Sequence, residues 1–454
     1  MSADPDHPIN IVGAGLAGAL LAVMLMRRRC GAVRLWDRRP DPRRARQERG
    51  RSINLALAAR GISALEQAGL MDRIRPLMTL MRGRMIHERS GETTLQPYGQ
   101  REDEVIYSVG RAELNRALIE EAARHQGVTI RFNQTCLGAD PEQNVLRFRN
   151  EVSGAQYTVE LTPTVATDGA GSAIRHSLGR AGLLSFREDW LDHDYKELTI
   201  PPRNGQPAMD PNALHIWPRG GFMLIALPNS DHSFTATLFL ARSGARSFAS
   251  LKDSQAVMEL FLEEFPDVVP LMPALAAEFH SHPAGQLGTV HTDRWHIGGR
   301  VLLLGDAAHA IVPFHGQGMN AAFEDCRVLG SLLDRHTDWE SLFGELERRR
   351  RPNTEAIATM ALENYTEMRD TVLDPGFIRR KNLALQLEKR FPDRFIPRYA
   401  MVMFHPEIAY AEALRRGAVQ QELLLELDRS GAAADSDHAA TLVNSRLPPL
   451  APAS

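Results

Sequence analysis

Short apolar runs bounded by glycine and polar residues set the organisation of this chain. Ile9-Asn10-Ile11-Val12 predicts a strand running straight into Gly13-Ala14-Gly15-Leu16-Ala17-Gly18, and the helix-forming stretch Ala19 to Met26 follows. A second strand, Val33 to Trp36, ends in Asp37. Far along the chain the pattern returns. Val301 to Leu304 reads as a buried strand, then GDAAHAIVPFHGQGMNAAFED, residues 305 to 325, passes from a glycine-rich loop into helical spacing at Met319.

Between these ends lie a semi-apolar strand at residues 50–57, a helix from Ile62 to Leu70, and a hairpin over residues 84–98 turning near Ser90-Gly91. Gly110-Arg111 opens an amphipathic helix, Val128 to Phe132 returns as a strand, and Leu161 to Thr167 is another, ending in Asp168-Gly169. From Phe186 to His282 the pattern alternates, with Phe222 to Leu227 and Ser233 to Leu240 flanking the turn Pro228 to Asp231, which predicts antiparallel sheet. Helices dominate afterwards. A charged, solvated face from Glu345 to Arg351 ends at Pro352, a long helix runs from Thr354 to about Val372, and Asp374-Pro375-Gly376 breaks it. The expected class is α/β: a Rossmann-type dinucleotide-binding domain (1–75, 106–185, 288–365) interleaved with a mainly antiparallel β-sheet substrate domain (76–105, 186–287). A helical C-terminal region (366–428) follows, and residues 429–454, rich in Ala, Ser, Asp and Pro, read as a disordered tail.

The first apolar run carries chemistry. In a GxGxxG between strand and helix, Gly13 permits the tight turn, Gly15 lets backbone reach a pyrophosphate, and Gly18 lets helix pack on strand. Asp37, nineteen residues after Gly18, is placed to bind ribose hydroxyls, which disfavours a 2′-phosphate and implies FAD or NAD. Asp168 and Asp306 are further carboxylates at strand ends, where open α/β sheets bind cofactors. The basic stretch Arg38 to Arg51 reads as a solvated loop, some of whose groups could line a cofactor.

Composition narrows the partners. The 454 residues are 43% hydrophobic and 24% charged with net charge −3, which is ordinary for a globular protein and gives no case for nucleic acid. Three scattered cysteines exclude a disulfide framework or structural zinc site. Neither a secretory signal nor an apolar run of spanning length is present, so a cytoplasmic protein with a small-molecule partner is expected.

The three cofactor signals together resemble the fingerprints of single-component flavoprotein aromatic hydroxylases. Within that group the stretches at residues 50–57 (GRSINLAL), 84–87 (RMIH), 97–99 (PYG), 215–219 (HIWPR), 222–229 (FMLIALPN) and 313–320 (PFHGQGMN) are similar to the kynurenine 3-monooxygenase family. The resemblance implies bound FAD, NADPH as transient reductant, and hydroxylation of L-kynurenine to 3-hydroxykynurenine with O2 through a C4a-hydroperoxyflavin. It also implies a substrate carboxylate held by Arg84 and Tyr98, with Asn364 and Tyr399 completing that pocket. Flavin contacts would come from Arg38, Arg111, Leu137, Asp306, Gly318, Met319 and Asn320 beside Gly13, Gly15, Gly18, Asp37 and Asp168. Leu214, Met223, Ile225, Phe239 and Phe314 are apolar candidates to sandwich the substrate ring, and equally candidates for core, with His315 beside them.

Two departures stand out: Asp37 replaces the Glu common in relatives, and the tail lacks the apolar membrane anchor of eukaryotic ones. The rival readings are a hydroxylase of another aromatic acid and a flavin-binding protein without turnover. No NADPH site is located, no metal is expected, and a homodimer is left open.

Overall fold

Ile9–Val12, Val33–Trp36, Thr164–Ala166 and Val301–Leu303 lie side by side and are largely apolar and buried, as covered parallel strands are, with Asn10, Arg34 and Thr164 the polar exceptions. In this computed structural model, which describes residues 8–44, 54–371 and 374–450, they belong to a six-stranded sheet. Its order is His296–Ile297, Val301–Leu303, Thr164–Ala166, Ile9–Val12, Val33–Trp36, Val128–Arg131, parallel except at the short first strand. The expected strand at 50–57 is described from Asn54; residues 50–53 lie outside the described residues.

The chain divides into two compact units. One comprises Met1–Thr79, Ser108–Leu191 and Gln286–Glu355; the other comprises Leu80–Tyr107, Asp192–Gly285 and Ala356–Ser454. The C-terminal helices therefore fall within the second unit rather than forming a region of their own. Within the first unit an antiparallel meander, Gln134–Asp140, Val145–Asn150 and Gln156–Glu160, was not anticipated. Its Phe148 stacks on Trp36 at 4.5 Å between centroids.

A seven-stranded mixed sheet runs in the order Gly285–Thr292, Phe186–Ile200, Phe234–Ala241, Met223–Pro228, Ala213–Pro218, Gly83–His87, Thr93–Pro97. Side chains alternate across it. One face presents Leu198, Trp217, Leu224, Ala236 and Leu238 to the helices Ser254–Glu264 and Leu275–Ser281, forming a core with Phe261, Phe265 and Phe279. The register puts Arg84, Leu214, Ile216, Met223, Ile225 and Phe239 on the other face.

Three expectations are corrected here. The helix Trp339–Thr366 continues through Pro352 instead of stopping there. It gives way after Thr366 to a π-helical turn, Glu367–Thr371, so the helix expected to reach Val372 changes character earlier. The tail is not disordered where it is described. Asp437–Arg446 is a helix, N-capped by the Ser436 hydroxyl, that buries Ala439, Leu442 and Val443, with Leu447 beyond it, against Leu387, Leu423 and Leu427. Apolar residues at helical spacing outweigh the polar composition of that stretch; residues 451–454 lie outside the described residues. No described helix is long and apolar enough to cross a membrane.

Candidate active site

The glycine loop after Val12 tests its own reading. A Cβ on Gly13, whose φ is +106°, would lie 2.3 Å from the Thr167 carbonyl oxygen, and one on Gly18 would lie 2.0 Å from that of Gly13. Neither position can carry a side chain. A Cβ on Gly15 would meet nothing within 4 Å, so a cradle stays open at the N-terminus of the helix Leu16–Arg27. Asn115, which sequence reasoning missed, donates to the Ala14 carbonyl at 3.0 Å and holds the loop from behind.

Asp37 does more than expected. Its Oδ2 accepts the Ala14 N–H at 2.8 Å, and its carboxylate also receives the Arg39 backbone N–H and guanidinium at 2.8–3.0 Å. It braces the glycine loop, and a ribose at this carboxylate would compete with Arg39. Arg38 and Arg111 are exposed and Leu137 is half-buried. Asp168 Oδ2 accepts the Ile174 N–H at 3.4 Å, whereas Oδ1 is buried without a hydrogen-bond partner among the described residues. Burial pushes the Asp168 carboxyl above its ordinary value.

Gly305, at φ +62°, turns the chain out of Val301–Leu303 and leaves Asp306 exposed at the strand end. Gly316, at φ +66°, makes the next turn, and the helix Gly318–Leu332 starts from it with Met319 largely buried. Open cradle, orphaned Asp168 oxygen and exposed Asp306 all suit a dinucleotide. Asn320 has a second role. It is 0% exposed, and its side chain accepts the Ala58 N–H and donates to the Ala56 and Gly316 carbonyls, so it holds the loop. Phe314 and His315, in the turn Pro313–His315, are both buried.

Behind the loop is a charge network that the sequence reading had as a solvated face. Arg350, 3% exposed, reaches Glu324 at 2.7 Å and Asp325 at 2.6 Å. Arg60 pairs with Glu324 at 3.0 Å, and Asp325 also meets His309 Nε2 at 2.6 Å and the Gly305 N–H at 3.3 Å. Burial acts to raise both carboxyls, but Arg350 with Arg60 for Glu324, and His309 with Arg350 for Asp325, hold them below the ordinary range.

In the second unit Arg84, Tyr98 and Tyr399 come together. The Arg84 guanidinium lies 4.7 Å over the Tyr399 ring, the two tyrosine rings stack at 6.0 Å, and Arg84 Nη1 lies 3.3 Å from Glu367 Oε1. Burial works against the Arg84 cation, yet Tyr399, Glu367 and Tyr98 together push its pKa above the ordinary value. Burial pushes both phenols up as well, against the pull of Arg84, so they stay protonated. Glu367 was missed because a glutamate late in a polar helix carries no sequence signal. Asn364 is buried one turn earlier with its amide 3.2 Å from Met368 Sδ. Leu214 and Ile225 are half-buried on the Arg84 face, and Met223 on the same face is 0% exposed. Lys381, on the helix Pro375–Arg390, donates to Gln96 at 3.0 Å, and burial beside Arg84 lowers its pKa to about 8.

The fold and cradle define an FAD-binding domain, and the family described as FAD binding domain matches residues 6–361. The solved structure of 2-methyl-3-hydroxypyridine-5-carboxylic acid oxygenase is similar with a TM-score of 0.66 and 21% identity, over 81% of this chain and 94% of that one. The kynurenine 3-monooxygenase of Stenotrophomonas maltophilia (strain K279a) is 47% identical over 94% of this chain and 93% of its own. That of Xanthomonas oryzae pv. oryzae (strain MAFF 311018) is 46% identical over 99% of both. The chain belongs to the kynurenine 3-monooxygenase family of FAD-dependent monooxygenases.

Proposed function

We propose that this enzyme hydroxylates L-kynurenine to 3-hydroxykynurenine, consuming NADPH and O2. The observation that carries the reading is the buried Arg84 cation, paired with the half-buried Glu367 and set against the stacked, protonated Tyr98 and Tyr399. An α-amino acid brings one anion and one cation. Its carboxylate accepts from the planar Arg84 fork and from the Tyr98 and Tyr399 hydroxyls, and its ammonium donates to Glu367. Leu214, Ile225 and Phe239, on the Arg84 face of the sheet, orient the aryl ring and exclude water. FAD, when bound, supplies the reduction and oxygen activation. No side-chain acid or base is assigned to the chemical step.

The test is NADPH consumption by the yellow holoenzyme with a panel of aromatic acids. L-kynurenine should accelerate it most. Acceleration by a simple phenolic acid but not by L-kynurenine would overturn the substrate assignment.

A further inference from the structure

Gly220 and Gly221 take φ of +62° and +90°, a conformation closed to ordinary side chains, in the turn that leads into the strand Met223–Pro228. The backbone of this turn is held by groups from other elements. The Gly221 N–H donates to Asp370 Oδ1 at 2.9 Å, the Gly220 N–H donates to the Arg369 carbonyl at 3.3 Å, and His193 Nε2 donates to the Gly221 carbonyl at 2.9 Å. Since a carbonyl only accepts, that nitrogen carries the proton. His193 is set in turn by Asp192 at 2.7 Å and by the Tyr365 ring packed edge-on against it.

Arg369 and Asp370 belong to the π-helical turn that Glu367 opens, and widened turns of this kind are rare and concentrate at functional sites. Glu367 and Asp370 share that turn, so the tie at Asp370 fixes where Glu367 stands relative to Arg84. Asp370 does not act through its charge. Arg369 covers its carboxylate with contacts of 2.6–3.0 Å and also lies over Tyr365. Its influence passes through the backbone.

We propose that Asp370, seconded by His193, is a positioning residue that sets Glu367 for the substrate ammonium and so selects α-amino acids over simple aryl keto acids. This rests on the reading of Glu367 as the ammonium partner. The test measures dissociation constants on the holoenzyme, from the perturbation of flavin absorbance, for L-kynurenine and its des-amino analogue, which keeps the carboxylate and lacks the α-amino group. Asp370→Ala should weaken L-kynurenine roughly tenfold, the scale of one charge-assisted hydrogen bond, and leave the analogue unchanged. Asp370→Asn, which keeps an oxygen for the Gly221 N–H, should restore the preference. His193→Ala, freeing the turn from its other side, should reduce it. In a Glu367→Gln background Asp370→Ala should add nothing.

Equal weakening of both compounds by Asp370→Ala, or an unchanged preference, overturns the proposal. If Glu367→Gln abolishes the preference and neither Asp370→Ala nor His193→Ala does, the proposal alone falls. If Glu367→Gln leaves the preference intact, the ammonium reading falls and the proposal with it.

Discussion

A guanidinium that is 6% exposed keeps its charge only when its surroundings compensate for lost water, and at Arg84 two phenols and a carboxylate do so. Arg84→Ala should therefore weaken L-kynurenine by about 1.5–3 kcal/mol, the range for a hydrogen bond to a charged group, while flavin content by absorbance is unchanged. Loss of flavin would make Arg84 structural. Lys381 gives the site a pH dependence. Below its pKa of about 8 the local charges are Arg84 and Lys381 against Glu367, a surplus of one positive; above it the surplus vanishes. KM for the anionic end of the substrate should rise from about pH 7 to about pH 9, and Lys381→Met should flatten the profile. At this scale the sequence is an uneven guide. Gly13, Gly15 and Gly18 announce their roles because each answers a local steric demand. Asn320, Glu367 and Arg350 do not, because their roles depend on partners distant in sequence.

Helix geometry explains why Arg350 was hidden. Arg348 and Arg349 reach back to Glu345 on the exposed side, and the next residue, about 100° further round, points inward. Replacing it with Met leaves Glu324 and Asp325 buried without that cation, which should cost about 3–5 kcal/mol in denaturant unfolding and release FAD earlier in the transition. The glycine loop makes a contrasting prediction. A Cβ at Gly15 meets only open space, so Gly15→Ala should leave the apo melting temperature unchanged yet weaken FAD retention, read as flavin absorbance of the purified protein. Gly18→Ala should lower the melting temperature, since its methyl would overlap the Gly13 carbonyl. The strands flanking these loops were legible from apolar runs. The meander at 134–160 was not, since its strands are short, buried on one face only, and broken by a register shift between Arg147 and Phe148.

Over the whole chain, the interleaving of two units could be read from the return of strand-loop-helix patterns at both ends, whereas the fate of the last residues could not. Ending the chain at Gly431 removes Leu442, Val443 and Leu447 from contact with Leu387, Leu423 and Leu427. Burial of such side chains contributes roughly 1.5–3 kcal/mol each, so the truncated enzyme should lose about 3–5 kcal/mol net and melt measurably lower. The strand order carries a consequence for synthesis. Ile9–Val12 pairs with Thr164–Ala166, which pairs in turn with Val301–Leu303. A ribosome must release some 300 residues before this sheet has its inner neighbours, roughly 15–60 s at ordinary elongation rates. Ile9–Val12 has both neighbours once residue 166 is out, but through the rest of that interval Thr164–Ala166 lacks Val301–Leu303. Completion of the sheet, and FAD uptake with it, should therefore come late in synthesis, after Val301–Leu303 has paired.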